Sequence, residues 1–244
     1  MPYIKRTVRA GGTIEVKKYY SARYGKKNKG IKAERQNISS EKQQEINERN
    51  ATEKLTWLLN ANFGFGDYHV TLTYSDEHKP EPEEAKNCVR RFLRRLRAAY
   101  RDNGSELKYV EVTEYENRRI HHHMVLPYID TRIIASLWNY GGVHFRAIYS
   151  EELSRLAEYL VKETGKTFRG SVVSAKRWNS SRNLKKPEIK KEIVPADSWR
   201  RVPAPMNGYY IPTDKIIIDV DAFGYPYQKY TMIKVPEKAR HRKH

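Results

Sequence analysis

The chain has 244 residues, of which 47 are Lys or Arg and 29 are Asp or Glu, so its formal net charge is +18. Cys88 is the only cysteine, which excludes an intrachain disulfide and a zinc site built on several cysteines. No apolar run is long enough to span a membrane and no apolar leader is visible, so we expect a cytoplasmic protein with no membrane partner.

The charge is unevenly distributed. Residues 1–50 carry 13 basic and 5 acidic side chains and residues 166–244 carry 18 and 7, whereas residues 51–165 carry 16 and 17. The chain also has 18 tyrosines, and tyrosine mixed with Lys and Arg suits both phosphate contact and stacking on unpaired bases. We therefore predict a nearly neutral core at 41–165 between a basic N-terminal arm at 1–40 and a basic C-terminal region at 166–244.

Hydrophobic periodicity predicts an alternation of strands and helices. The predicted strands are residues 13–19, 68–74, 107–115, the histidine strand that follows a turn at 116–118, and residues 143–148, 215–220 and 229–235. The predicted helices are residues 41–59, 83–101, 131–140 and 151–164. This order indicates an α+β fold with a central antiparallel β-sheet flanked by helices, and a small β-containing C-terminal region. The rest of residues 1–38 is expected to be loop, or an arm that orders on DNA, and residues 166–202 a linker.

The stretch RRIHHHMVLP (118–127) carries the clearest chemical signal. His121 and His123 are two residues apart in a predicted strand, so they share one face, while His122 points the other way. Two neutral imidazoles on one face are suited to bind a divalent cation together with a carboxylate. Glu114 on the partner strand of the predicted hairpin is the first candidate, and Glu111 and Glu116 compete with it because the register is not fixed by the sequence. Histidines that form only a polar surface are the alternative.

A second signal lies in the helix EYLVKE (158–163). Tyr159 and Lys162 are three residues apart and therefore lie on one helix face. A phenol with a pKa of about 10 is a poor nucleophile unless a cation stabilises its oxyanion. An ammonium group and a divalent ion are expected to do this, although a helical Tyr–Lys pair alone has no special meaning.

Residues near these motifs are candidates for DNA contacts, and each of them is equally compatible with packing or solvated surface. His144 is expected to be structural or to face DNA, without being a ligand. The candidates are Thr71, Thr73 and Tyr74 beside the site, Arg118 and Arg119 flanking it, and Arg177, Trp178 and Arg182 in the basic C-terminal region.

The three motifs TLTY, HHHMVL and YLVK, in this order, resemble those of the HUH endonuclease superfamily, specifically rolling-circle replication initiators of the single-tyrosine type. The segments NERNA, LLNANFGFGDYHVTLTY and FGYPYQKY are similar to initiators from Gram-positive plasmids, integrative elements and phages. One departure is His122, because the middle residue of the histidine motif is usually hydrophobic.

The resemblance implies a complete mechanism. His121, His123 and Glu114 would bind Mg²⁺ or Mn²⁺, Tyr159 would be the nucleophile and Lys162 its helper. The protein would nick single-stranded DNA at a replication origin, where a hairpin is expected, hold the 5′ phosphate as a phosphotyrosine, and later rejoin ends. The sequence has no Gly-x4-Gly-Lys-Ser/Thr loop, so a host helicase, as well as a host polymerase, is expected to be a partner.

Three other functions remain open at this point. The first is a transposase or relaxase of the same superfamily. The second is a metal-dependent nuclease that uses water, with Tyr159 as a stacking residue. The third is a non-catalytic DNA-binding regulator whose histidines are structural.

Overall fold

The structure, a computed structural model, describes residues 3–21, 40–115, 119–170, 177–195, 202–221 and 224–236, without the side chains of 40 and 165–170. The chain divides into two units, and each is described by itself. The core unit comprises residues 47–185, and the flanking unit comprises residues 1–46 together with 186–244. This division differs from the three consecutive segments expected from composition, because strands distant in sequence pair with one another in the flanking unit.

The core unit contains an antiparallel sheet with the strand order β6-β3-β5-β4-β7. Its elements in chain order are α1 (Ser40–Asn60, which begins in the flanking unit), β3 (Tyr68–Thr73), α2 (Pro82–Asp102), β4 (Val110–Glu114), β5 (His121–Leu126), α3 (Thr131–Leu137), β6 (Val143–Ala147), α4 (Ser154–Gly170) and β7 (Asn179–Ser180).

Each face of this sheet is covered by its own pair of helices. On one face Met124 and Leu126 of β5 belong to an apolar cluster with Phe92 of α2 and Ile134 of α3. On the other face the neighbouring residue of β5, Val125, belongs to a second cluster. That cluster includes Leu55 of α1 and Leu160 of α4. Successive side chains of β5 therefore pack into two separate apolar clusters, one on each face, as expected for a sheet between two helical layers.

The predicted fold class, α+β with an antiparallel sheet flanked by helices, is confirmed. Helix α4 was predicted at 151–164 and spans Ser154–Gly170, so it begins three residues later than expected. The carboxylate of Glu152 accepts hydrogen bonds from the backbone nitrogen and hydroxyl of Ser154, at 3.0 and 2.9 Å, so it caps the first turn there.

The flanking unit is built on a sheet with the order β10-β11-β2-β1-β8, and the short strand β9 also pairs with β11. These strands are β1 (Tyr3–Ala10), β2 (Thr13–Tyr20), β8 (Glu188–Val194), β9 (Tyr209–Tyr210), β10 (Ile216–Val220) and β11 (Pro226–Lys234). The expectation of loop before Thr13 is therefore wrong for residues 3–10, which form a strand between β2 and β8. Strand β8 likewise lies inside the predicted linker.

None of the helices in the described ranges is both long enough and apolar enough to cross a lipid bilayer.

Candidate active site

The β4–β5 hairpin brings two imidazoles and one carboxylate to the same face of the sheet. Glu114 is the cross-strand partner of His121, and His123 pairs with Val112 two residues further along. The Oε2 atom of Glu114 lies 3.8 Å from His121 Nδ1 and 3.8 Å from His123 Nε2. One carboxylate oxygen thus faces both imidazoles.

This arrangement fits a divalent cation after a small inward movement. Ligand atoms bound to one ion at about 2.0–2.2 Å lie roughly 3.0–3.5 Å from each other. The observed 3.8 Å separations are slightly wider, and within the described residues no three His, Cys, Asp or Glu side chains are already close enough to surround an ion. However, the Nε2 atom of His123 is buried and has no hydrogen-bond partner, although it points towards Glu114. A buried nitrogen left without a partner is unfavourable unless something binds it, which is what a metal ligand requires.

The other ring nitrogen of His123 has partners, and they fix the orientation of the ring. His123 Nδ1 lies 3.3 Å from His69 Nε2 and 3.3 Å from the Thr71 hydroxyl, both on the adjacent strand β3. A hydrogen bond at Nδ1 leaves Nε2 as the nitrogen that faces the carboxylate. Metal-binding histidines in proteins are commonly held in this way by a second residue.

Burial keeps the histidines of this face neutral at physiological pH. It is the main cause that lowers the pKa of His123 to about 4, and the neighbouring imidazoles of His69 and His121 add to it. Burial, with a smaller contribution from the charge of Arg146, lowers the pKa of His69 to about 4 as well. The pKa of His121 is also lowered, again mainly by burial. Neutral imidazoles are the form that binds a cation.

Helix α4 places Tyr159 directly against these histidines. The Tyr159 ring meets the His123 ring edge-on, with centroids 5.4 Å apart and planes at 87°, and the His69 ring at 5.8 Å and 70°. The side chain is 40% exposed, so the phenol borders the site while remaining accessible to a substrate. Partial burial, followed by the carboxylates of Glu163 and Glu114, raises the pKa of Tyr159, and Arg146 opposes them. A cation bound by the Glu114 carboxylate would offset this effect.

Lys162, the predicted helper, is exposed. Among the described interactions, none joins it to Tyr159. The charged groups that act on the phenol are instead Glu163, one turn after Tyr159, and Arg146 on β6. Sequence reasoning missed His69, Arg146 and Glu163. Only His69 had a usable signal, because it lies two residues before Thr71 in an alternating strand.

The opposite face of the same hairpin carries a buried polar network. His122 is completely buried, with Nε2 2.9 Å from the Tyr74 hydroxyl and Nδ1 2.8 Å from the Thr113 hydroxyl. Thr113 donates to Glu111 Oε1 at 2.5 Å, and Asn179 Nδ2 donates to Glu111 Oε2 at 2.8 Å. Glu111 therefore faces away from His121 and His123, which favours Glu114 over Glu111 as third ligand. Glu116 lies outside the described residues.

This network also corrects one predicted DNA contact. Tyr74 was expected to line the sheet beside the site, but its side chain is 4% exposed and lies on the face of His122. It follows Leu72 by two residues, so it shares the core side of the sheet. Thr71 and Thr73 do lie on the face of the candidate ligands, opposite His123 and His121 respectively.

The other predicted DNA-contact residues are scattered. Arg119 is exposed and forms an ion pair with Asp76. Arg182 is exposed, and Arg177 and Trp178 line a cavity beside β4. Arg118 lies outside the described residues. Their roles in DNA binding stay predictions.

Residues 67–168 match the family model described as replication-associated protein ORF2/G2P. The matched range begins just before β3 and ends within α4, so it contains Glu114, His121, His123 and Tyr159. The comparison with curated proteins found no match, and neither did the comparison with solved structures. The similarity to replication-associated proteins thus falls on the part of the chain that carries the candidate site.

Proposed function

We propose that the core unit is a metal-dependent, site-specific endonuclease and strand transferase that initiates rolling-circle replication, with Tyr159 as its nucleophile. The observation that carries the proposal is the edge-on contact of the Tyr159 ring with His123, whose buried Nε2 faces Glu114. A phenol, two imidazoles and a carboxylate meet at one place, and all four lie in the range similar to replication-associated proteins.

In this reaction the phenol oxygen of Tyr159 attacks a phosphorus atom of single-stranded DNA. A bond forms between that oxygen and phosphorus, and the bond from phosphorus to the 3′ oxygen breaks. The proton lost by the phenol balances the one gained by the departing 3′ oxygen, so no net proton is consumed. The product is a 5′ phosphotyrosine and a free 3′ hydroxyl, and the reverse transfer rejoins ends.

His121, His123 and Glu114 would hold Mg²⁺ or Mn²⁺. Such an ion supplies charge stabilisation at the phosphate under attack. The residues of the chain supply the orientation: His69 and Thr71 set the His123 ring, and the packing of α4 on the sheet sets the position of Tyr159.

The DNA strand would lie across the part of the sheet next to the ligands. On β6, His144 and Arg146 are exposed and pair in register with Thr71 and His69 of β3. Together with Thr73 they form a polar strip on the face of His121 and His123. In this proposal a host helicase opens the origin and a host polymerase extends the 3′ hydroxyl.

The test is a covalent adduct. Oligonucleotides from the replicon that encodes the protein are incubated with the protein and Mg²⁺ or Mn²⁺, and a denaturing gel is read for protein attached to DNA. We expect an adduct with the unaltered chain and none with Tyr159→Phe or after chelation. Tyr149→Phe is the matched control, since Tyr149 is 76% exposed and contacts Phe65. Cleavage at full rate by Tyr159→Phe would refute the proposal.

A nuclease that uses water is a second candidate, and one observation favours it. The pKa of Tyr159 is raised, mainly by burial, so the phenol is not activated by the chain alone. Hydrolysis predicts cut DNA with no protein attached, and cutting that persists in Tyr159→Phe. A transposase or relaxase of the same superfamily would form the same adduct, but on DNA other than the replication origin. A non-catalytic regulator would bind DNA and never cut it.

A further inference from the structure

A cavity of about 960 Å³ opens in the core unit at the sheet edge formed by β4 and β7. Its walls come from α1, α2, β4 and β7, with Thr164 of α4. None of Glu114, His121, His123 and Tyr159 lines it. Its volume is at the upper end of the range typical of small-molecule sites, about 300–1,000 Å³.

The lining of the cavity favours an anion. It includes Lys54, Arg90 and Arg177, and the first two are exposed on α1 and α2 respectively. Glu111 is the only carboxylate among the described lining residues, and its two oxygens already accept hydrogen bonds from Thr113 and Asn179. Lys86 also lines the cavity and is paired with Glu83, which is not a lining residue. Cations thus outnumber carboxylates in the described lining, and a phosphate group would be attracted.

The same walls also offer flat apolar surface and amide groups. Tyr109, Tyr115 and Trp178 supply aromatic rings, and Asn47 and Asn50 supply carboxamides. Aromatic rings stack on nucleobases, and carboxamides have both the donors and the acceptors that base edges need. Cations, rings and amides in one cavity match the chemistry of a nucleotide.

The position of the cavity on the helices favours a nucleotide within a strand over a free triphosphate. The lining residues lie at 47–54 of α1 and at 86–93 of α2, in the middle turns of both helices. Among the described lining residues, none belongs to the first turn of a helix, where a compact polyphosphate site would find backbone N–H groups. The phosphates of a DNA strand would instead contact basic side chains that project from two helices, and proteins that bind single strands use such a positively charged groove for the backbone.

We propose that this cavity holds an unpaired nucleotide of the DNA strand while the active site acts elsewhere on the same strand. The inference rests on the proposed function, because it assumes a DNA substrate. The cavity and the candidate ligands share the β4–β5 hairpin: Glu111 and Thr113 line the cavity, and Thr113 contacts His122, which lies between His121 and His123. A nucleotide in the cavity would therefore contact β4, the strand that carries Glu114, and would be separated from His122 of β5 by the side chain of Thr113.

The binding test is made in the Tyr159→Phe background with chelator, so that no chemistry contributes. Lys54→Glu combined with Arg90→Glu reverses two cations of the cavity. Arg49→Glu combined with Arg94→Glu is the matched control, because it makes the same charge change at exposed positions of the same two helices outside the cavity. Binding of a fluorescent single-stranded oligonucleotide is followed by anisotropy at several salt concentrations.

We expect the cavity variant to lose at least about tenfold in affinity, as for two charge-assisted contacts. The slope of log affinity against log salt should fall by about 1.4, or roughly 0.7 per lost phosphate contact. The control should change both quantities far less. An oligonucleotide with 5-bromodeoxyuridine should photocrosslink to a peptide that contains Trp178, Tyr109 or Tyr115, and deoxythymidine monophosphate should compete poorly.

Equal losses in the two double variants, or crosslinks only to peptides without cavity residues, would overturn the proposal. Strong competition by the mononucleotide would overturn its assignment to a strand. Failure of the proposed function is a separate outcome, because a chain that never forms an adduct could still bind DNA through the cavity. In the background with Tyr159 intact, the cavity variant should keep its nicking rate at saturating DNA and show a raised KM.

Discussion

Replacing His122 by leucine tests the buried network behind the hairpin. Leucine is similar in size to histidine and is the kind of hydrophobic residue usually found at the middle of the histidine motif. It removes both ring nitrogens, which lie 2.9 Å from the Tyr74 hydroxyl and 2.8 Å from the Thr113 hydroxyl. Because Thr113 donates its only hydroxyl proton to Glu111, its oxygen is left to accept a hydrogen bond from His122 Nδ1.

The expected loss of stability depends on which hydrogen bonds Tyr74 and Glu111 keep in the variant. Tyr74 would keep a 3.5 Å contact with the carbonyl of Ala85 and its interaction with Cys88, so losing the His122 partner of this buried hydroxyl costs about 1–3 kcal/mol. Glu111 is fully buried, and its pKa is lowered by His122, Thr113 and Asn179 against the effect of burial. Losing His122 weakens the stabilisation of that carboxylate, so we expect His122→Leu to lower the free energy of unfolding by about 2–5 kcal/mol in total.

The measurement is urea unfolding of the full chain, followed by fluorescence, since the Trp138 ring lies 5.2 Å from Tyr74 and 5.9 Å from His122. The double variant His122→Leu, Tyr74→Phe removes both members of one hydrogen bond and should recover at least about 1 kcal/mol relative to additivity. A loss below about 1 kcal/mol for the single variant would show that the network does not stabilise the hairpin.

Two further predictions concern pH and backbone packing. Because burial lowers the folded-state pKa of His69 and His123 to about 4, only the unfolded chain gains these protons as pH falls below about 6.5. Stability of the metal-free protein should therefore fall between about pH 6.5 and 4, by at most about 3 kcal/mol per histidine, and an unchanged Tm across this window would contradict their burial. Gly141→Ala would place its Cβ 2.3 Å from the backbone oxygen of Thr73. We therefore expect the free energy of unfolding to fall by about 1–3 kcal/mol, which a lower Tm would report. Gly142→Ala is the milder comparison, because its Cβ would meet side-chain atoms at 2.9 Å or more, and equal losses would refute the steric account.

Local periodicity was enough to predict the layers of the core unit and the shared face of His121 and His123. Choosing between Glu111 and Glu114 required the register of β4 against β5, and register depends on the connection between the strands, which alternation does not specify. Tyr74 was predictable in principle, since strict alternation from Leu72 puts it on the core side, where the structure has it.

The rest depended on tertiary structure. Lys162 and Glu163 are both helical neighbours of Tyr159, and only the rotation of α4 on the sheet decides which of them acts on the phenol. Strand β1 forms a hairpin with β2 across Gly11 and Gly12, a local signal that sequence reasoning overlooked. Its other pairing, with β8 nearly two hundred residues away, leaves no local pattern.

The flanking unit has a consequence for the order in which the chain matures on the ribosome. Strand β2 hydrogen-bonds to β1 on one side and to β11 on the other. Until residues 226–234 have been translated, β2 has an unpaired edge, which can form intermolecular β-sheet hydrogen bonds with other nascent chains. All residues of the core unit are synthesised before β8 and β11, so the sheet of the flanking unit is completed last.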